Sequence, residues 1–166
     1  MPRSPAIVIP GTFQAIALTA ASPWGHIQNS EILMWGLNAQ DRSVIPLLWQ
    51  VSTASHGGTR VHDQLAAQYF TELPATCHAY GGSRLWFEED GESTVPFYIF
   101  YNGLTPDCWL IKSNPYPRAR LLRDSLQRYY PETIPAVQRI AQRFDQALID
   151  AGIPLRSPLA PLDSAA

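Results

Sequence analysis

Between Ser83 and Ser113 the chain reads SRLWFEEDGESTVPFYIFYNGLTPDCWLIKS, and any fold it adopts must bury the middle of that stretch. Over Thr94–Tyr101, Val95, Phe97, Ile99 and Tyr101 fall on one set of alternate positions, with Pro96, Tyr98 and Phe100 on the other. A strand apolar on both faces needs cover on both faces. The alternation therefore predicts a strand at the centre of the fold. Asp90-Gly91 precedes it, and both residues tolerate the positive φ of a two-residue hairpin turn. Asn102-Gly103 and Thr105-Pro106-Asp107 supply a second reversal. The expectation is a three-stranded antiparallel meander over residues 83–113.

On the N-terminal side, Ile7–Ile9 and Phe13–Thr19 are short β-prone runs broken by Pro10-Gly11. Glu31–Leu37 and Val44–Thr53 read as a hairpin joined by a polar turn at 38–43. Pro46 and Pro96 each remove a ladder donor, which places each at a strand start, an edge or a bulge. Residues 54–60, ASHGGTR, read as a flexible turn. Asp63 offers an N-cap for a helix in which Leu65, Ala66, Tyr69, Phe70 and Leu73 recur at helical spacing.

After Pro117 the pattern turns helical, with Leu121, Leu122, Leu126, Tyr129 and Tyr130 on one side. Thr133–Ala151 carries the clearest signal. Ile134, Val137, Ile140, Ala141, Phe144 and Leu148 form one apolar stripe, which Gly152 and Pro154 bring to an end. Residues 155–166 have no period and read as an irregular, dispensable tail. The predicted architecture is α+β: a single domain over residues 1–154, its antiparallel sheet packed against C-terminal helices, followed by the tail 155–166.

With 166 residues, 46% of them hydrophobic and 16% charged, the chain can bury a core and is too apolar for intrinsic disorder. No apolar run approaches the roughly 20 residues that span a bilayer. Ala6–Ile9 is too short for the apolar core of a signal peptide, so a cytoplasmic protein with no membrane partner is expected. Cys77 and Cys108 make no disulfide framework and read as buried thiols. Of Trp24, Trp35, Trp49, Trp86 and Trp109, at least three are expected to be mostly buried.

Candidate chemistry is thin. His56, His62, Cys77 and His78 are ligand types that zinc accepts, but their spacing frames no metal site. Cys77 as nucleophile would need His78 or His56 as base and Asp63 as orienter, and neighbours on a strand point to opposite faces. Ser55-His56-Gly57-Gly58 looks like an esterase oxyanion loop, yet the chain has no Gly-x-Ser-x-Gly elbow. Gly57-Gly58 and Gly81-Gly82 are too short for phosphate loops and read as flexible turns. Glu88, Glu89, Asp90 and Glu92 crowd an expected hairpin tip, where solvation suits them poorly to acid–base work. No catalytic residue, metal or cofactor is assigned.

Charge is more informative. Residues 1–111 carry four basic side chains against nine acidic ones, whereas residues 112–143 carry seven basic against two acidic. Arg118, Arg120, Arg123, Arg128, Arg139 and Arg143 spread over two predicted helices, with Tyr116, Tyr129 and Tyr130 interleaved. These arginines, with Tyr116 and Tyr129, form the candidate partner-binding face. The leading expectation is a non-enzymatic protein-binding or assembly protein, of accessory-subunit or inhibitor type, using charge complementarity. One alternative is a nucleic-acid-binding accessory protein using the arginines of 118–143. Another is a small-molecule binder or enzyme with a site near His56–Arg60.

Overall fold

The computed structural model describes residues 7–74, 84–112 and 117–159. It is an α+β fold in which a five-stranded, mostly antiparallel sheet packs against C-terminal helices. β4 (Asn29–Asn38) and β5 (Val44–Ser52) form the expected hairpin. Side chains close its turn: Asn38 Oδ1 accepts from Gln40 N at 3.0 Å and Asp41 Oδ1 from Ser43 N at 2.9 Å. β6 (Gly57–Val61) and β7 (Trp86–Glu88) extend the sheet antiparallel, and β1 (Thr12–Phe13) adds parallel to β4. β2 (Ala21–Ser22) and β3 (Gly25–His26) form a separate two-stranded hairpin.

Register slips around Leu33, between the pairs Ile32–Trp49 and Trp35–Pro46. The slip lets both Leu33 and Met34 enter the core, fully buried, while the Leu33 carbonyl accepts from Thr105 N at 2.8 Å. Pro46 therefore sits where the ladder is already irregular, as a proline in a strand requires. Gly57-Gly58 is no flexible turn. Both residues are buried in β6, and a Cβ on Gly58 would run into the Trp24 ring and the Phe87 carbonyl. These glycines serve close approach of neighbouring chain.

The meander over 83–113 is corrected. Among its described residues only Trp86–Glu88 is strand, and Thr94–Ile99 is a helix, α2, continued by a 3₁₀ turn at Tyr101–Gly103. Pro96 lies in the first turn of α2, where a helix has no use for its missing N–H. Carbonyls of the preceding turn take the remaining first-turn donors: Thr94 N donates to Gly91 O at 3.1 Å and Val95 N to Glu92 O at 3.0 Å. Every residue from Ser93 to Thr105 is buried, so the segment is the centre of the fold, though as a helix. A helix apolar all round is a core helix.

Around α2 stand α1 (Asp63–Tyr69), α3 (Trp109–Lys112), the helical run 118–129 and α6 (Ile134–Asp150). The run 118–129 comprises α4 (Arg118–Leu121), a π turn at Leu122–Leu126 and α5 (Gln127–Tyr129). The α6 stripe lands as expected, with Val137, Ile140, Ala141, Phe144 and Leu148 fully buried. Phe144 meets the rings of Phe100 and Tyr69 edge-on at 4.9 and 5.5 Å. Gly103 admits this packing, since a Cβ there would lie 2.7 Å from Phe144. Among the tryptophans, Trp49 is buried and the other four keep an edge in solvent.

Candidate functional site

The α2 segment ends inside the protein, so the carbonyls its last turn leaves over need donors. Arginines supply them. Arg118 Nε donates to Tyr98 O at 2.8 Å and its Nη2 to Ile99 O at 3.1 Å. Arg156 donates to Tyr101 O and Leu104 O at 2.8 and 2.9 Å. Asp145 on α6 then balances Arg118 through a two-pronged pair at 2.7 and 3.2 Å. Asn102 Nδ2 donates to Asp145 Oδ1 at 3.0 Å, and its Oδ1 accepts from Ser157 N at 2.7 Å. Residues 153–159 lack regular structure, but through Arg156 and Ser157 they are tied into the core rather than loose.

Arg118 thereby leaves the candidate face. It is 1% exposed. A guanidinium has five N–H donors, and Tyr98 O, Ile99 O, Ser157 O and the two Asp145 oxygens take all five. The cleft of about 340 Å³ beside it, lined by Tyr98, Leu122, Gln138 and Gln142, therefore receives no donor from this residue. Arg139 and Arg143 are exposed on α6 and both reach Glu72, at 3.5 and 3.2 Å, and Arg143 also lies over the Tyr69 ring. They brace α6 against the end of α1. Tyr116 lies outside the described residues.

Arg120, Arg123, Arg128 and Tyr129 remain exposed along the 118–129 run and form its solvent ridge. Arg120 and Arg123 both donate through Nε to Asp124, each at 3.0 Å. The hydrogen bond from Arg123, then that from Arg120, holds the Asp124 carboxyl below its ordinary value. Arg128 stacks over Tyr129 at 5.4 Å, and Tyr129 is 54% exposed. The π turn inside the ridge is a feature that recurs at functional sites.

Beside the ridge opens a cleft of about 390 Å³. Phe97, Leu110 and Leu121 make its floor with the half-buried Trp109, whose ring meets Phe97 edge-on at 5.9 Å. Arg120, Asp124 and Ser125 line it from the 118–129 run, and Glu89 and the buried Thr94 line it from the turn after β7 and the start of α2. Trp109 is pinned: its backbone N donates to Glu31 Oε1 at 3.2 Å and its Nε1 to Gln50 Oε1 at 3.3 Å. The aromatic wall is thus set before anything binds, and pre-organisation lowers the entropic cost of binding. A family model described as "Domain of unknown function (DUF7007)" matches residues 17–150, which hold the ridge and all of the cleft.

The chain belongs to the DUF7007 family. No curated protein and no solved structure matches it. In this DUF7007 chain the catalytic candidates that can be placed are scattered. His62, and not Asp63, caps α1: its Nδ1 accepts from Gln64 N at 3.1 Å, and its Nε2 donates to Gln14 O at 2.7 Å. Asp63 holds Arg60 at 2.7 Å, and Arg60 lies over the Trp86 ring. His56 is exposed in the turn before β6, where Thr53 closes onto it. Cys77, His78 and Gly81-Gly82 lie outside the described residues. Cys108 is buried and free, and burial pushes its thiol up. Among the described residues no His, Cys, Asp and Glu side chains cluster as metal ligands, and no helix is long and apolar enough to cross a membrane.

Between β7 and α2 the environment acts on the Glu92 carboxyl. Burial raises the Glu92 carboxyl above its ordinary value of 4.5, and repulsion from Glu88 adds to this. A hydrogen bond from Glu88 N at 3.1 Å pulls the other way and is outweighed. A raised folded value means that folding favours the neutral acid. The stability Glu92 contributes is therefore fully present below its unfolded value and lost as pH rises through the folded one. Glu92→Gln keeps an acceptor for Glu88 N and is expected to melt slightly above wild type at neutral pH. That advantage should shrink as pH falls toward 4.5. Thermal melts across this range check it, and an advantage that grows in acid would contradict the sign.

Proposed function

We propose that this DUF7007 chain is a non-enzymatic protein-binding module, of accessory-subunit or inhibitor type, which takes its partner on the Arg120–Tyr129 ridge and in the adjoining cleft. One observation carries the reading: a pinned, aromatic-floored cleft is lined by Arg120 from a helical run that also exposes Arg123, Arg128 and Tyr129. Trp, Tyr and Arg dominate the energetics of protein interfaces, typically around desolvated pockets inside a polar rim. The contact residues are Arg120, Arg123, Arg128 and Tyr129, together with Trp109 and Phe97. A free, buried Cys108 suits a reducing compartment, and we place the protein in the cytoplasm.

The nucleic-acid reading is weaker on the same geometry. Asp145 and Glu72 engage Arg118, Arg139 and Arg143, and Asp124 is shared by Arg120 and Arg123, so the surplus positive charge is confined to the ridge and is small for a run of phosphate contacts. A site near His56–Arg60 is weaker still, because Arg60 is already engaged by Asp63 and Trp86.

The test is Arg120→Ala combined with Arg123→Ala. Both residues are exposed, so the pair should cost less than about 0.5 kcal/mol per site. Recovery of the native partner from the protein's own cells should nevertheless fall clearly. Unchanged recovery of the same partners would sink the assignment of the ridge. A steep loss of binding between low and moderate salt would turn the reading toward nucleic acid.

A further inference from the structure

We infer that the cleft beside the ridge receives one aromatic side chain from an acidic segment of the partner, an assignment that rests on the protein-binding reading above. The floor sets the anchor. Phe97, Leu110 and Leu121 offer almost only carbon, and the edge-on pair of Phe97 and Trp109 presents ring faces and edges to a third ring. Aromatic rings gain from such offset and edge-to-face contacts beyond the area they bury.

The rims set the charge. On the ridge side, Arg120 and Arg123 share the single carboxylate of Asp124, and Arg128 adds a third cation. Among the described residues, Arg123 donates only its Nε and its side chain is 72% exposed. Its terminal fork is therefore presented to a second carboxylate, which a guanidinium holds bidentately. From the segment between β7 and α2, Glu89 is the charged group that lines the cleft. Complementarity places acid on the ridge side of the anchor and excludes it from the Glu89 side.

Length sets the kind of ligand. From Arg120 to Arg128 the ridge runs roughly 12 Å at helical rise, more than a single small anion covers. An extended peptide spans it in about four residues. The occupant is then an aromatic residue with acidic residues on one side only, within about four positions of it.

The experiment titrates the intact chain with short fluorescent peptides. The first carries one Phe beside a run of Glu, the second replaces that Phe with Ala, and the third replaces the Glu run with Lys. The first probe should bind, and the second and third should each bind about tenfold more weakly or worse. Ser125→Tyr, which fills the cleft from its rim, and Arg123→Ala should each weaken the first probe about as much with unchanged melting temperature. Equal binding of the Glu and Lys probes would overturn the assignment, as would a first probe indifferent to Ser125→Tyr. Competition by a single-stranded oligonucleotide with a steep salt dependence would overturn it in favour of phosphate. If the probes show no acidic preference while the Arg120/Arg123 double variant still loses its native partner, the protein-binding reading stands and only the ligand class falls. If the double variant keeps its partner as well, both fall.

Discussion

Asp145→Ala is expected to remove about 3–5 kcal/mol of stability, because it strands a buried guanidinium without its counter-charge. Arg118 and Asp145 are 1% and 7% exposed at the side chain, so the pair sits almost wholly out of water. Arg118 also holds the carbonyls of Tyr98 and Ile99, so an unbalanced Arg118 that moves toward solvent uncaps the central helix. Replacing both charges with apolar residues, as in Arg118→Met with Asp145→Leu, should be milder than Asp145→Ala alone. The double variant still gives up the carbonyl caps, so part of the loss persists. Urea unfolding of the three proteins measures the difference. An Asp145→Ala variant within about 1 kcal/mol of wild type would mean that the pair is solvated and that the C-terminus of α2 is held in some other way.

Phe144→Ala should cost about as much, roughly 3–5 kcal/mol, through lost burial and the cavity left behind. Phe144 is fully buried where α6 meets Phe100 and Tyr69, and neighbouring rings cannot easily swing into the gap. For a domain at the low end of ordinary stability, about 5 kcal/mol, either substitution removes most of the stability. A melting temperature within a few degrees of wild type would show that the aromatic stack carries far less of the stability than its burial implies.

Much of this is readable from the residues, and the misreading at Thr94–Tyr101 has a physical cause. Alternation is trivially satisfied when every position is apolar, so a short buried helix and a buried strand share the pattern. Pro96 was compatible with both, as an irregular strand position or as a first-turn helix residue, and the need to bury all sides at once decided for the helix. α6 was clear because its solvent face stays polar and its stripe keeps a period. The same reasoning could have removed Arg118 from the face. It stands three and four residues before Leu121 and Leu122, on their side of the helix, just as Asp145 stands four after Ala141.

The cleft had no local signature, since Glu89, Phe97, Trp109 and Arg120 come together only through tertiary packing. His62 as a helix cap was hidden for another reason: Ser, Thr, Asp and Asn are the usual caps, and the Gln14 carbonyl that fixes the imidazole here lies 48 residues away in sequence. The tight site of Gly58 was equally invisible, because Trp24 reaches it from a distant hairpin.

Hydrogen exchange tests the proposed surface most directly, on the chain alone and on the chain recovered with its native partner. Protection gained on binding is expected in α3 and along the 118–129 run, around Trp109, Arg120, Arg123 and Tyr129. Exchange unchanged there, with protection appearing instead around Trp24 and Trp86 on the β2–β3 hairpin and β7, would contradict it.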